Sequence, residues 1–374
     1  MFDRFFSLFS HDVGIDLGTA NTLVSVRGKG IVIREPSVVA RHRKTKKIIA
    51  IGSEAKRMLG KTPALIETVK PLRHGVIADF DATASMISHY INQVHDIGGF
   101  IPSTLARPRV AIGIPSAVTE VERRAVWEAA LAAGAREAYL IEEPMAAAIG
   151  EGISVFAPTG VMVVDIGGGT TEIAVISLGG IVVSRSLRLA GDDMTAAIMH
   201  YVRLRHGLLM GESTAEDVKI KIGSAYKKSQ KSKVKSQKSE NDSDEKRSEE
   251  KEEEPEKMAI VRGRDIETGL PKSIKLSETE IREALATVIS QIIEEIADVL
   301  EESPPELTSD ILEHGLLLTG GGAMLSGMDH LIVERIHIPV IIADEPLTTV
   351  VRGAAKVLED RELLSRVKVT GGLR

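Results

Sequence analysis

Val13-Gly14-Ile15-Asp16-Leu17-Gly18-Thr19-Ala20-Asn21-Thr22-Leu23-Val24 and Met162-Val163-Val164-Asp165-Ile166-Gly167-Gly168-Gly169-Thr170-Thr171-Glu172-Ile173 are two versions of one pattern. Each runs from an apolar strand through Asp-apolar-Gly and small residues closing on Thr, into a second apolar strand. Asp16 aligns with Asp165, Gly18 with Gly167 and Thr22 with Thr171, at a constant offset of 149. A carboxylate at a strand end, followed by a tight turn rich in backbone N–H groups, suits a metal-bound phosphate. Two such turns facing each other would clamp a nucleotide between two lobes.

Working outward, 13–26 and 31–40 read as β, with Gly28-Lys29-Gly30 as the turn between them. Residues 48–62 are mixed and then helical, and 81–97 reads as a helix. A strand over 109–114 ends at Pro115, and Thr119 with Glu122 has capping-box spacing for a helix to about Gly134. A strand over 138–141 leads into Glu142-Glu143-Pro144 and an alanine-rich helix. The second pattern opens a second round: strands from 161 to about 188, a helix over 193–206, and a long helix over 278–302. Ser277 and Glu280 box the start of that helix. Its apolar stripe is Ile281, Leu285, Val288, Ile292, Ile296 and Val299. A buried-type strand over 315–319 enters Gly320-Gly321-Gly322, and a last strand over 340–343 leads to Asp344-Glu345-Pro346 and a closing helix. Strands alternate with helices, which is the α/β class.

The two Glu-Pro junctions are a second sign of duplication. Glu143 and Glu345 are 202 residues apart, 53 more than the aspartates, so the second half carries the insertion. Part of it is 227–257, dominated by Lys, Ser, Gln, Glu and Asp, with Val234 its only aliphatic residue. Such a stretch cannot bury enough apolar surface to offset chain ordering and is expected to be a disordered, solvated loop. It is basic first and acidic later, so a role in partner binding is the alternative.

At 374 residues the chain is long enough for two domains. A net charge of −6 offers no reason to expect nucleic acid as a partner. Without cysteine, disulfides and thiolate metal sites are excluded. No apolar run approaches the roughly 18 residues of a membrane-spanning helix. Four of the seven Phe residues are nevertheless Phe2, Phe5, Phe6 and Phe9, spaced along one helical face. Two readings fit: a short helix lying in a membrane surface, or a terminal segment docked on the protein's own core. The segment's Asp3 and Arg4 cancel, so on a membrane its apolar face would supply most of the affinity.

A Mg²⁺ ion bridging nucleotide phosphates wants carboxylate oxygens, usually through retained waters, which makes Asp16 and Asp165 the metal candidates. Thr19, Ala20 and Asn21 lie in the first turn, and Gly167, Gly168 and Gly169 let the second backbone come equally close to phosphate. Glu143, just beyond a strand, could orient or deprotonate a water, or could simply complement a helix dipole. Thr170 could hold the same water or merely cap a strand. Gly60-Lys61-Thr62 is a decoy for a phosphate-binding P-loop, because the glycine required five residues before Gly60 is Ala55.

These stretches, together with 141–150, Leu318-Thr319-Gly320-Gly321-Gly322-Ala323, 75–80, 121–124 and 304–307, resemble the MreB family of bacterial actin homologues over nearly the whole chain. The Asp-Gly motifs alone are shared with Hsp70 and sugar kinases; their combination with Thr19-Ala20-Asn21 and the length is specific to the MreB group. The resemblance implies an actin-like ATPase fold of two lobes with ATP and Mg²⁺ in the cleft. By matched position, Thr19, Ala20, Asn21 and Gly167 to Thr170 would touch phosphates. Glu216, Asp217, Val218 and Lys219 would sit at the ribose and adenine, Gly320, Gly321, Gly322 and Ala323 would flank the nucleotide, and Glu143 with Thr170 would handle the attacking water. The implied division is a membrane-binding segment over 1–10, lobe I over 11–145 with 340–374 returning to it, and lobe II over 146–339. The family's membrane loop would here carry Phe100 and Ile101, unless both pack inward.

Implied too are slow ATP hydrolysis coupled to assembly and a homopolymer of paired protofilaments on the cytoplasmic face of the inner membrane. There it would work with cell-wall elongation proteins to keep cells rod-shaped. The alternative is a soluble ATPase on the same fold. A chaperone of that kind would be expected to carry a substrate-binding domain after the lobes, and a sugar kinase an Asp base with sugar-binding loops.

Overall fold

The computed structural model describes residues 11–96, 107–227 and 255–369. The chain first builds β1 (Val13–Leu17), β2 (Asn21–Val26), β3 (Gly30–Pro36), β4 (Val39–His42), β5 (Ile48–Ile51), α1 (Ser53–Met58), β6 (Ile66–Val69), β7 (Leu72–Arg73) and β8 (Val76–Ile77). Next come α2 (Phe80–Asp96), β9 (Arg109–Ile114), α3 (Glu120–Ala132), β10 (Glu137–Glu142) and α4 (Glu143–Gly150). The second half opens with β11 (Val161–Ile166), β12 (Thr171–Ser177), β13 (Gly180–Leu187), α5 (Gly191–His206), β14 (Leu208–Leu209) and α6 (Glu212–Ile222). It continues through β15 (Met258–Asp265), β16 (Pro271–Ser277), α7 (Glu278–Glu302), α8 (Pro305–His314) and β17 (Leu316–Thr319). It closes with α9 (Met328–Ile336), β18 (Val340–Ile342), α10 (Thr349–Glu359) and α11 (Arg361–Val367).

Two five-stranded sheets repeat one topology. The first runs β10-β9-β1-β2-β3, and the second, read in the same sense, β18-β17-β11-β12-β13. In each, the hairpin is antiparallel and the two strands on its other side are parallel. The 149-residue offset holds through the hairpin register: Leu17 faces Thr22 as Ile166 faces Thr171. Asp16 lies beside Gly113 of β9, and Asp165 beside Thr319 of β17. Strands covered on both faces read as continuous apolar runs, which is why β11 and β12 are almost wholly buried.

Three cores follow. One fills lobe I under β1, β9 and α2, and one fills lobe II around β11, α5 and α7. The third lies between the sheets, where Ala146, Ala147 and Ala148 of α4 meet Val350, Ala354 and Val357 of α10. Small residues let these two helices approach closely: a side chain at Gly353 would collide with the Ala146 carbonyl.

Both expected capping boxes are present, on Thr119 and Ser277, and all six residues of the expected stripe of α7 are buried. Ala55 is buried within α1, so the Gly60-Lys61-Thr62 stretch follows a helix rather than a phosphate loop after a strand. The expected lobe boundary at 340 needs correction. β18 hydrogen-bonds in parallel to β17 and so remains in the second sheet; the chain reaches the first sheet with α10, which packs on β1 and β9. The antiparallel sheet β14-β15-β16 has no clear sequence signal and adds to the excess length of the second half. Phe2, Phe5, Phe6, Phe9, Phe100, Ile101 and nearly all of the charged insertion lie outside the described residues.

Candidate functional site

The two matched turns meet across the cleft. A Cβ added at Gly168 would lie 2.5 Å from the Cβ of Ala20, and one added at Gly169 would lie 2.5 Å from Oγ1 of Thr19. Only glycine permits so close an approach of the two turns. Each turn is braced from outside. Ser37 Oγ donates to the Gly18 carbonyl at 2.5 Å, and the Ser37 N–H donates to the Ala20 carbonyl at 3.0 Å. The start of α5 holds the second turn, through Gly191 N–H to Gly167 O at 3.2 Å and Asp192 N–H to Gly168 O at 2.7 Å. Thr19 Oγ1 also accepts from the Gly75 N–H at 3.1 Å. A Cβ at Gly75, which has φ +72°, would meet the Thr170 methyl at 2.8 Å.

Carboxylates gather beneath these turns. Burial pushes Asp16 up to about 7. Burial, then Asp16 and Glu172, push Asp165 up to about 8. Glu143 is raised well above the usual carboxylate range by burial first, then by Glu172, Asp16 and Asp165. The charges acting on Asp165 and Glu143 are thus all negative, a field that calls for a cation. Among the described residues no three acids or histidines stand close enough to hold a metal by themselves. That suits Mg²⁺, which keeps several waters and takes only one or two carboxylates alongside phosphate oxygens.

Of the remaining expected residues, Asn21 is exposed at the head of β2. Gly320, at φ +79°, sets its backbone against the Asp165 carboxylate, while Gly322 packs on Ile166 and Ala323 is buried. Gly321 faces comparatively open space. The run Glu216 to Lys219 lies on α6, and a helix cannot turn four consecutive residues toward one ligand. Val218 is in the lobe II core and Asp217 is exposed. Glu216 pairs with Lys56 of lobe I at 3.2 Å. Lys219 Nζ donates to the Gly191 carbonyl at 2.6 Å and to Thr195 Oγ1 at 2.9 Å, beside the glycine turn. Burial lowers the pKa of this lysine.

The site contains more than the expected set. Glu172, on β12, accepts from the Ser116 N–H at 3.0 Å and from Ser186 Oγ, tying the site to both lobes. Burial, then Glu142, raise it to about 7. A lone glutamate in an otherwise apolar, buried strand was the available signal. Lys70 of lobe I bridges Asp192 at 3.0 Å and Glu212 at 2.6 Å in lobe II; nothing in the local sequence marks it.

The MreB/Mbl protein family model matches residues 10–241 and 236–366. The chain belongs to the MreB/Mbl family. It is 49% identical over 363 residues to the cell shape-determining protein MreB of Escherichia coli K12, covering 96% of each chain. It is 42% identical to the cell shape-determining protein Mbl of Bacillus subtilis 168, covering 97% of this chain and all of Mbl. Crystal structures of Spiroplasma citri MreB5, bound to ADP and to AMPPNP, are 35% identical with a TM-score of 0.82, over 96% of this chain and 98% of theirs. A MamK double helical filament, 21% identical with a TM-score of 0.73, shares the fold. The doubled sheets of this MreB/Mbl chain are thus the actin-like fold, with the Asp-Gly turns at the mouth of its cleft.

Proposed function

We propose that the chain is a cell shape-determining cytoskeletal protein that binds ATP between its lobes, hydrolyses it slowly and polymerises on the inner membrane face to guide cell-wall elongation. The observation that carries the reading is the meeting of the Asp16 and Asp165 turns, with Gly168 and Gly169 against Ala20 and Thr19. A triphosphate between them would be reached from both lobes, and family membership supplies the cell-shape role. The nucleotide-bound MreB5 structures support ATP as the ligand.

In this reading the N–H groups of Thr19, Ala20 and Asn21 and of Gly167 to Thr170 hold phosphate oxygens. Glu216 and Lys219 are the members of the α6 run that would serve the nucleoside side. Asp16 and Asp165 would hold Mg²⁺ through waters, and the ion would supply the positive charge that this acidic site lacks. Glu143 would be the group that accepts a proton from the attacking water, and Thr170 the group that orients that water. The Phe2, Phe5, Phe6 and Phe9 face and the Phe100-Ile101 pair are the proposed lipid contacts.

The deciding experiment is sedimentation of the full chain with Mg-ATP and lipid vesicles. Filaments should pellet with the vesicles and be visible by negative-stain microscopy. A protein that stays monomeric on lipid at high concentration would sink the filament reading.

A further inference from the structure

At the end of the first sheet opposite the nucleotide turns lies a cavity of about 770 Å³, within the range of ligand pockets. His11 and Asp12 precede β1, Arg109 opens β9 and Arg136 precedes β10, so its floor is the starting end of three parallel strands. The turn between β2 and β3 contributes Arg27, and the other wall is the stretch from Leu358 to Lys368. None of these residues belongs to the cleft described above.

The charge is the unusual part. In a chain of net charge −6, this cavity carries Arg27, Arg109, Arg136, Arg361 and Lys368 against only Asp12, Glu137 and Glu359. Two of those carboxylates are already engaged. Asp12 accepts from Arg109 Nε at 3.1 Å and from its Nη2, with Arg27 3.8 Å away. Glu137 accepts the Tyr139 hydroxyl. Arg361 and Lys368 stand exposed at the rim. A concave surface with a cationic surplus, and with Arg361 and Lys368 exposed at its rim, suits an anion with several oxygens, above all a phosphate.

The position names the source of that phosphate. His11, on the lining, is the residue at which the Phe-rich segment joins the described chain. A segment lying in a bilayer surface would bring the cavity, one residue away, to headgroup depth. That segment's own Asp3 and Arg4 cancel, so charge selectivity must come from elsewhere on the molecule. We propose that this cavity binds the phosphate of an anionic phospholipid headgroup; the proposal rests on the membrane reading given above.

The test is pelleting of the full chain with vesicles of phosphatidylcholine alone and of phosphatidylcholine doped with phosphatidylglycerol. The wild type should favour the anionic vesicles. Arg361→Gln with Lys368→Gln should reduce binding to them by roughly 10- to 30-fold while sparing the weaker binding to phosphatidylcholine. Arg361→Lys with Lys368→Arg should restore the preference. Lys44→Gln with Lys47→Gln, an equal loss of charge on the exposed β4–β5 turn, should leave it intact. An unchanged preference in the first double variant overturns the proposal, as does an equal loss in the Lys44/Lys47 pair. Glycerol phosphate abolishing the preference at low concentration would assign the cavity to a soluble phosphate and overturn the lipid source. If the wild type pellets with neither vesicle, the membrane reading itself falls and takes this proposal with it.

Discussion

At Glu143, three other carboxylates, Glu172, Asp16 and Asp165, act on a group whose pKa burial already raises well above the usual carboxylate range. Positive charge entering the site would lower it and favour the ionised form that can act as a base. Glu143→Ala should therefore leave ATP binding nearly intact and slow phosphate release by roughly 10²- to 10⁴-fold. Nucleotide titration and a phosphate-release assay read the two effects separately, and unchanged turnover would remove Glu143 from the chemistry. Gly168→Ala is expected to act the other way round. Its new methyl would press on the Ala20 side chain, 2.5 Å away, and hold the turns apart. Nucleotide affinity should fall at least tenfold while the melting temperature of the nucleotide-free protein stays close to wild type.

Among the elements, the 25-residue α7 is the one whose place was clearest in the sequence, because its 3.6-residue stripe and capping box agree. Ile292 lies at the centre of that stripe and is fully buried in the lobe II core. Ile292→Ala should lower unfolding stability by about 2–5 kcal/mol through the cavity it leaves. Urea denaturation checks this, and a loss well under 1 kcal/mol would mean that the helix is not a core element. By contrast, the strands of β14-β15-β16 carry exposed Leu209, Met258 and Ile260 and flank a charged insertion, so no period marks them. α6 was hidden for a related reason: only Ala215, Val218 and Ile222 of its residues are buried, too few to stand out as a stripe.

For the molecule as a whole, acids from both lobes meet in one cleft. Asp16 at about 7 comes from lobe I, and Asp165 at about 8 and Glu172 at about 7 come from lobe II. All three are raised above their unfolded values, so the folded state holds protons that the unfolded chain has released. Their stabilising contribution is complete below about pH 4 and is lost as pH rises through about 7 to 8. The nucleotide-free protein should thus lose thermal stability between about pH 6 and pH 8.5, and Mg-ATP should flatten that slope by neutralising the acids. Scanning calorimetry across this range tests the sign; a nucleotide-free melting temperature rising over that interval would contradict it. Lys70 and Lys56, which pair across the cleft with Asp192, Glu212 and Glu216, oppose this repulsion from the rim.

The doubled α/β plan and the two matched Asp-Gly turns are legible in the chain because they depend on local chemistry: strand period, turn residues and a fixed offset of 149. The paired strands of the two hairpins keep that offset, Leu17 facing Thr22 as Ile166 faces Thr171. What only the tertiary structure decided is which residues from distant segments share a space. Glu172 joins the acid cluster, Lys70 spans the lobes, β18 stays with β17, and the Arg27, Arg109 and Arg361 cavity forms where three strand starts meet the last helices. These meetings are set by packing between separate elements, and no local pattern encodes a neighbour that lies in another element.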